Sequence, residues 1–247
     1  MIVDSLTFLG ESLFGPRATA VDLLAVLDDL GVERAVVCPM KPRGYHLGPA
    51  NDLVAEAVRA HPDRLVGFAR VDSNLGDEAC AELERALGEL GLRGLFLHPW
   101  EETFRASAPF FDPVVEVARA HGVPVIVAAG YPWLSEGLQV GDLARRFPDI
   151  AFVATNGGQI NISGLGQTDV ELALAASPNL AVQTAGVYRE DFLENVVARF
   201  GGGRLLYASA FPYLEPRLEI LRARWMHVDE EARARILGRN ARALLGA

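Results

Sequence analysis

Lysine is almost absent: Lys41 is the only one in 247 residues, and arginine supplies the rest of the 23 basic side chains. The 32 acidic residues outnumber them, giving a formal net charge of −9 with both signs interleaved. No basic stripe is left for a nucleic acid or an anionic membrane surface, so neither is expected as a partner. The preference for arginine fits a high-GC bacterial genome. Cysteine is equally scarce, with only Cys38 in AVVCPM and Cys80 in DEACAEL. Two thiols make no disulfide framework and suit a reduced cytoplasm, the expected location. No apolar run approaches the roughly 20 residues of a membrane helix. The opening MIVDSLTFLG shows neither the basic nor the long apolar region of a signal peptide. Without secretion, the acceptor-like triplet Asn161-Ile162-Ser163 carries no glycosylation meaning. Phosphate loops and dinucleotide fingerprints are missing too, and Ser209 lies outside any G-x-S-x-G elbow.

What the chain does have is apolar bulk, 50% of its residues, and a strict rhythm. The short runs IVDSLTF, RAVVCPM, RLVGFAR, LRGLFLH, PVIVAAG, IAFVATN, NLAVQTA and RLLYASA read as parallel strands buried on both faces. Amphipathic segments separate them. TAVDLLAVLDDLG opens on a capping threonine and ends at Gly31, PANDLVAEAVRAHP runs between prolines, and DEACAELERALGELG closes on Gly91. PFFDPVVEVARAHGVP, VGDLARRFP, DVELALAASP and REDFLENVVARFG repeat the pattern. The tail DEEARARILGRNARALLG reads as one more helix across the outside or bottom of the fold. Eight βα units predict an α/β protein, a single (β/α)8 TIM barrel over residues 1–247 with an extra C-terminal helix, in preference to an open doubly wound sheet. In such a barrel, function sits where the strands end at their C-termini.

At those strand ends the chain resembles the amidohydrolase-related family, the metal-dependent TIM-barrel hydrolases and decarboxylases of the amidohydrolase superfamily. IVDSLTFLG resembles its first-strand Asp-x-His-x-His segment, and LRGLFLHPW its fourth-strand G-x-x-L-H-P segment. HGVPVIVAAG, FPDIAFVATNGG and GRLLYASAFPY are similar to its fifth, sixth and eighth strands, and ILGRNARALLG to its last helix. The family's metal would be held at the first, fifth, sixth and eighth strands. Here those positions carry Leu6 and Phe8, Ala128, Asn156, and Ala210. Zinc needs imidazole, thiolate or carboxylate, so the resemblance implies a family member that has lost its metal, with no other cofactor expected. His46, His61, His121 and His227 fall in loops or helix ends and do not regroup into a site.

The side chains left for chemistry are few. His98, ending the fourth strand before Pro99, is the candidate general acid/base with a pKa near neutrality; the alternative is a histidine that holds its loop. Asp4 is the second catalytic candidate, either orienting His98 or serving as a structural acceptor. Asn156, Tyr131, Trp133, Gln159, Gln183, Ser209 and Phe8 are the candidate substrate-binding residues, with Asn161, Thr184, Glu136 and Tyr213 nearby. Cys38 reads as an inert core thiol rather than the partner of a Cys–His pair.

Two functions compete. One is a metal-independent enzyme performing acid/base cyclisation, isomerisation, dehydration, lactone hydrolysis or C–C lyase chemistry on a small, largely apolar organic substrate, for instance in bacterial natural-product metabolism. The other is a catalytically dead homologue that binds a small molecule or a partner protein. Homo-oligomerisation stays open. A Phe8 side chain that plugs the barrel would favour the second.

Overall fold

The computed structural model describes residues 1–160 and 164–246, so Asn161 and the triplet it begins lie outside the described residues. The strands are β1 (Val3–Glu11), β2 (Arg17–Ala18), β3 (Arg34–Pro39), β4 (Leu65–Gly67), β5 (Ala69–Arg70), β6 (Leu95–Leu97), β7 (Val125–Val127), β8 (Phe152–Ala154), β9 (Leu180–Gln183) and β10 (Leu205–Leu206). All pairings are parallel apart from the short antiparallel β1–β2 ribbon in the first loop. Around them run helices α1 (Ala20–Leu30), α2 (Gly48–Ala60), α3 (Asp77–Gly88), α4 (Asp112–Ala120), α5 (Gly137–Arg146), α6 (Gly164–Ala176), α7 (Glu190–Phe200) and α8 (Pro216–Trp225). Each follows one barrel strand, with β4 and β5 together forming the third.

Local chemistry sets these boundaries. At the start of α1 the Asp22 N–H donates to Thr19 Oγ1 while the Thr19 N–H donates to Asp22 Oδ2, a reciprocal cap. Gly31 then ends the helix at φ 67°. The third strand breaks at Phe68, whose N–H still donates to the Val37 carbonyl at 2.9 Å. Its ring fills the space beside Gly94, where a Cβ would lie 2.2 Å from a ring carbon. Every residue of β6, β7 and β8 is buried, as the continuous apolar runs require.

The barrel closes through the first and eighth strands. The Ser5 N–H donates to Tyr207 O at 3.0 Å, Ala210 N–H to Leu6 O at 2.9 Å, and Phe8 N–H to Phe211 O at 2.8 Å. Asp4 reinforces this seam: its Oδ1 accepts from the Leu6 and Ser209 N–H groups at 3.1 and 2.9 Å. Gln183 ties in the seventh strand by donating to Ser5 O and Oγ.

The tail, expected as one helix, runs as α9 (Glu230–Ala234), a π-helical turn over Arg235–Arg239, and α10 (Asn240–Leu244). It lies across the bottom of the barrel, where the Asn240 amide donates to Gly202 O and Leu205 O. Gly238 sits so close to the first residue that a Cβ there would be 2.6 Å from Met1 O. Among the described residues no helix is long and apolar enough to cross a membrane.

Candidate active site at the barrel mouth

A cavity of about 610 Å³ occupies the C-terminal mouth of the barrel. Its floor is formed by the positions at which the resemblance placed metal ligands: Leu6, Phe8, Ala128, Asn156 and Ala210 all line it. Phe8 does not plug the barrel. It stands edge-on to Phe96 and Tyr213, with ring centroids 5.3 and 5.1 Å away, and leaves the space above open. Asn156 and Ala210 hold left-handed backbones, φ 54° and 52°, a conformation L residues adopt at a cost and that recurs at functional sites. The Asn156 amide donates to Ala129 O at 3.3 Å.

One wall is polar. Arg70 ends β5 with a side chain that is 1% exposed yet reaches the cavity. Its Nε and Nη2 donate to Glu102 Oε1 at 2.9 and 2.5 Å, Nη2 also donates to Glu101 Oε2, and Nη1 donates to Pro39 O at 3.2 Å. Pro99 turns the chain after β6 so that residues 98–102 fold back on themselves. The His98 N–H donates to Glu102 Oε2 at 3.0 Å, and the Glu101 N–H donates to His98 Nδ1 at 3.2 Å. Sequence reasoning passed over Arg70, Glu101 and Glu102. The signal was the terminal arginine of RLVGFAR, a charge closing an otherwise apolar strand.

These contacts fix the protonation of the wall. Because Nδ1 accepts, the His98 proton resides on Nε2, 3.8 Å from Glu101 Oε1. Burial, assisted by the neighbouring Arg70 and Lys41 cations, pushes the His98 pKa well below its ordinary value. The expected pKa near neutrality is therefore corrected: His98 is a neutral imidazole that donates from Nε2. A single guanidinium faces two carboxylates, and enclosed Glu102 is pushed up to about 7 by burial against the opposing pull of Arg70. Tyr131, with its ring 5.3 Å from His98, is raised to about 12, mainly by burial. Half-exposed Trp100 stacks on Tyr131 at 5.9 Å and an interplanar angle of 5°, forming a flat platform at the rim.

Of the sequence candidates, the cavity brings together His98, Asn156, Tyr131, Phe8 and Tyr213. Asp4 does not line it; its Oδ1 is held in the strand seam by the Leu6 and Ser209 N–H groups, and burial raises its carboxyl to about 6. Gln183 and Ser209 are buried in the same seam, Gln183 bonding to Ser5 and Ser209 Oγ accepting from the Phe211 N–H. Trp133 is 76% exposed outside the cavity, and Gln159 lines a separate crevice with Glu136 and Asp169. Cys38 is fully buried, and burial pushes its thiol far up. His61 and His121 are helix C-caps, and His121 pairs with Glu84 at 2.7 Å.

The donor set does not suit a divalent cation. Four of the five floor positions carry no donor atom, and both wall carboxylates are engaged by Arg70. Among the described residues no group of three or more His, Cys, Asp or Glu can hold a metal.

Gamma-resorcylate decarboxylases from Polaromonas sp. and Rhodococcus jostii are 22% and 23% identical to this chain, over 66% of it. The match spans only 65% of each decarboxylase. A dihydroxybenzoic acid decarboxylase from Polaromonas sp., solved with manganese and the inhibitor 2-nitroresorcinol, superposes with a TM-score of 0.75 at 15% identity, covering 99% of this chain and 96% of its own. The floor described above thus sits in the fold of a manganese-bound relative. The amidohydrolase family model aligns with residues 6–247, and the chain belongs to that family.

Proposed function

We propose that this protein is an enzyme that holds a small aromatic substrate in the barrel mouth and acts on it by acid–base chemistry of its own side chains, without a resident metal. The observation that carries this reading is the apolar floor of Leu6, Phe8, Ala128 and Ala210 facing one polar wall of Arg70, His98 and Glu101. The cavity volume falls within the range of small-molecule sites, and the rings of Phe8, Phe96, Tyr131 and Tyr213 line it as flat apolar surfaces suited to a planar ligand.

Each group has a defined task. Neutral His98 donates from Nε2 to a substrate oxygen and stabilises negative charge that develops there. Glu101 accepts or returns a proton from the same side, held in place by Arg70. The dry floor strengthens both interactions and keeps water from the reacting atoms. Proton transfer of this kind serves cyclisation, isomerisation, dehydration, lactone opening or C–C cleavage of an activated aromatic compound. The aromatic compounds for which the relatives are named support an aromatic substrate and choose no branch of that set.

The test is metal content by inductively coupled plasma mass spectrometry on protein purified without added metal or chelator, paired with a His98→Ala variant. The expected result is far less than one transition metal per chain, with turnover of aromatic substrates unaffected by EDTA and lost in the variant. A stoichiometric metal, or activity that EDTA abolishes, refutes the reading. Ligand binding with no turnover in either protein leaves a binding protein in its place.

A further inference from the structure

The polar wall says which aromatic compounds the cavity accepts. Resting on the reading above, we propose that its ligand is an uncharged aromatic compound presenting a phenol hydroxyl between His98 Nε2 and Glu101 Oε1, and that aromatic carboxylates are rejected.

Among the described residues the cavity is lined by one formal cation, Arg70, and one formal anion, Glu101, and these are paired with each other. Arg70 makes four hydrogen bonds, two to Glu102, one to Glu101 and one to Pro39 O, and its flat face lies 5.4 Å from the Phe96 ring centroid. A ligand carboxylate would have to displace a carboxylate already held there. The other nearby cation, Lys41, is not part of the lining and pairs with Asp72 at 3.3 Å. An aromatic acid entering this site would therefore bury its charge beside Glu101 with no free counter-charge, which is strongly unfavourable.

The same wall is complementary to a hydroxyl. His98 Nε2 and Glu101 Oε1 stand 3.8 Å apart, too far for a direct hydrogen bond. A single oxygen placed beside the pair can accept from the Nε2–H and donate its own proton to the carboxylate. Only a group that both accepts and donates satisfies the two, and a phenol does so while its ring rests on the Phe8 and Phe96 side of the cavity. A carboxylate can satisfy His98 but confronts Glu101 with like charge. The relatives are named for aromatic acids; the inference places this chain's ligand on the neutral side of that chemistry.

The experiment compares an isosteric pair by isothermal titration calorimetry at about pH 7.5, where an aromatic acid is ionised: 2,6-dihydroxybenzamide and 2,6-dihydroxybenzoate. The amide is expected to bind at least about tenfold more tightly. Glu101→Gln removes the wall's anion and half of Arg70's neutralisation, and is expected to shift the preference about tenfold or more towards the benzoate. Ala128→Phe, which fills the floor, is expected to abolish amide binding. If the benzoate binds as tightly as the amide or tighter in the wild-type protein, the proposal falls while the aromatic site stands. If amide binding survives Ala128→Phe, the ligand lies elsewhere and the proposal also falls. If neither compound binds the wild-type protein, the aromatic reading of the cavity itself is overturned.

Discussion

Replacing Asp4 with asparagine tests the assignment of this carboxylate to the barrel seam. Both backbone donors, Leu6 N–H and Ser209 N–H, address the same oxygen, Oδ1. An asparagine can keep both bonds while removing the charge. Burial holds the Asp4 pKa at about 6 against 3.8 for an ordinary aspartate. At about 1.4 kcal/mol per pH unit, that difference corresponds to about 3 kcal/mol. Its sign follows from proton binding. Between pH 3.8 and about 6 the native state keeps a proton that the unfolded chain releases, so stability is fully present below this window and lost as pH rises through it. Between about pH 4.5 and pH 8 the loss attributable to Asp4 is about 2 kcal/mol. Urea unfolding of the wild type and Asp4→Asn at both pH values isolates this term, because all other titrating groups are common to both proteins. The wild type is expected to lose about 2 kcal/mol more than the variant on going to the higher pH. A variant whose pH dependence matches the wild type within about 0.5 kcal/mol, or exceeds it, refutes the reasoning.

Arg70→Leu leaves Glu101 and Glu102 without their shared cation; the expected cost is about 3–5 kcal/mol at about pH 8. The cost should be smaller at about pH 5, where Glu102, raised to about 7, already carries its proton; equal losses at the two pH values in urea unfolding contradict the arrangement. Alkylation with iodoacetamide followed by mass spectrometry should modify partly exposed Cys80 slowly and leave fully buried Cys38 untouched until the protein unfolds. Native labelling of Cys38 at the rate of Cys80 would show that the barrel opens far more readily than its packing implies.

The barrel was legible because its signal is redundant. Each of the eight apolar runs holds a strand of the fold; β1 extends past its run to Glu11, while the later strands are shorter than theirs: PVIVAAG contributes only Val125–Val127. Residues shortly past β7 and β8 still line the mouth, which is why strand-end reasoning located Tyr131 and Asn156. Helix α8 escaped notice because PRLEILRARW lacks a clear apolar stripe. It buries only Ile220 and Ala223 among its apolar side chains beside Pro216, and charges tie it to its neighbours, Arg217 to Asp29 and Arg222 to Glu190. The polar wall escaped for a related reason. Arg70 and Glu102 are 32 positions apart, and the charge that closes RLVGFAR does not reveal its partner in the loop after β6. Gln183 and Ser209 illustrate the converse: polar residues at the right end of a strand whose partners turn out to be the barrel's own backbone.

The seam that joins the eighth strand to the first has a consequence for the order of assembly. The Ser5 hydroxyl reaches Tyr207 O across 202 positions of sequence. A nascent chain that has not yet delivered Tyr207 therefore carries β1 with one edge unpaired, and the seven strands already made form a sheet rather than a tube. Such an edge invites pairing with other chains, and contacts this distant in sequence form slowly. Closure is completed from below as well, since Gly238 must come to rest against Met1 O. The charged and buried Asp4 side chain sits on the strand that waits longest for its partner, and its acceptor oxygen stays unsatisfied by Ser209 until nearly the whole barrel exists.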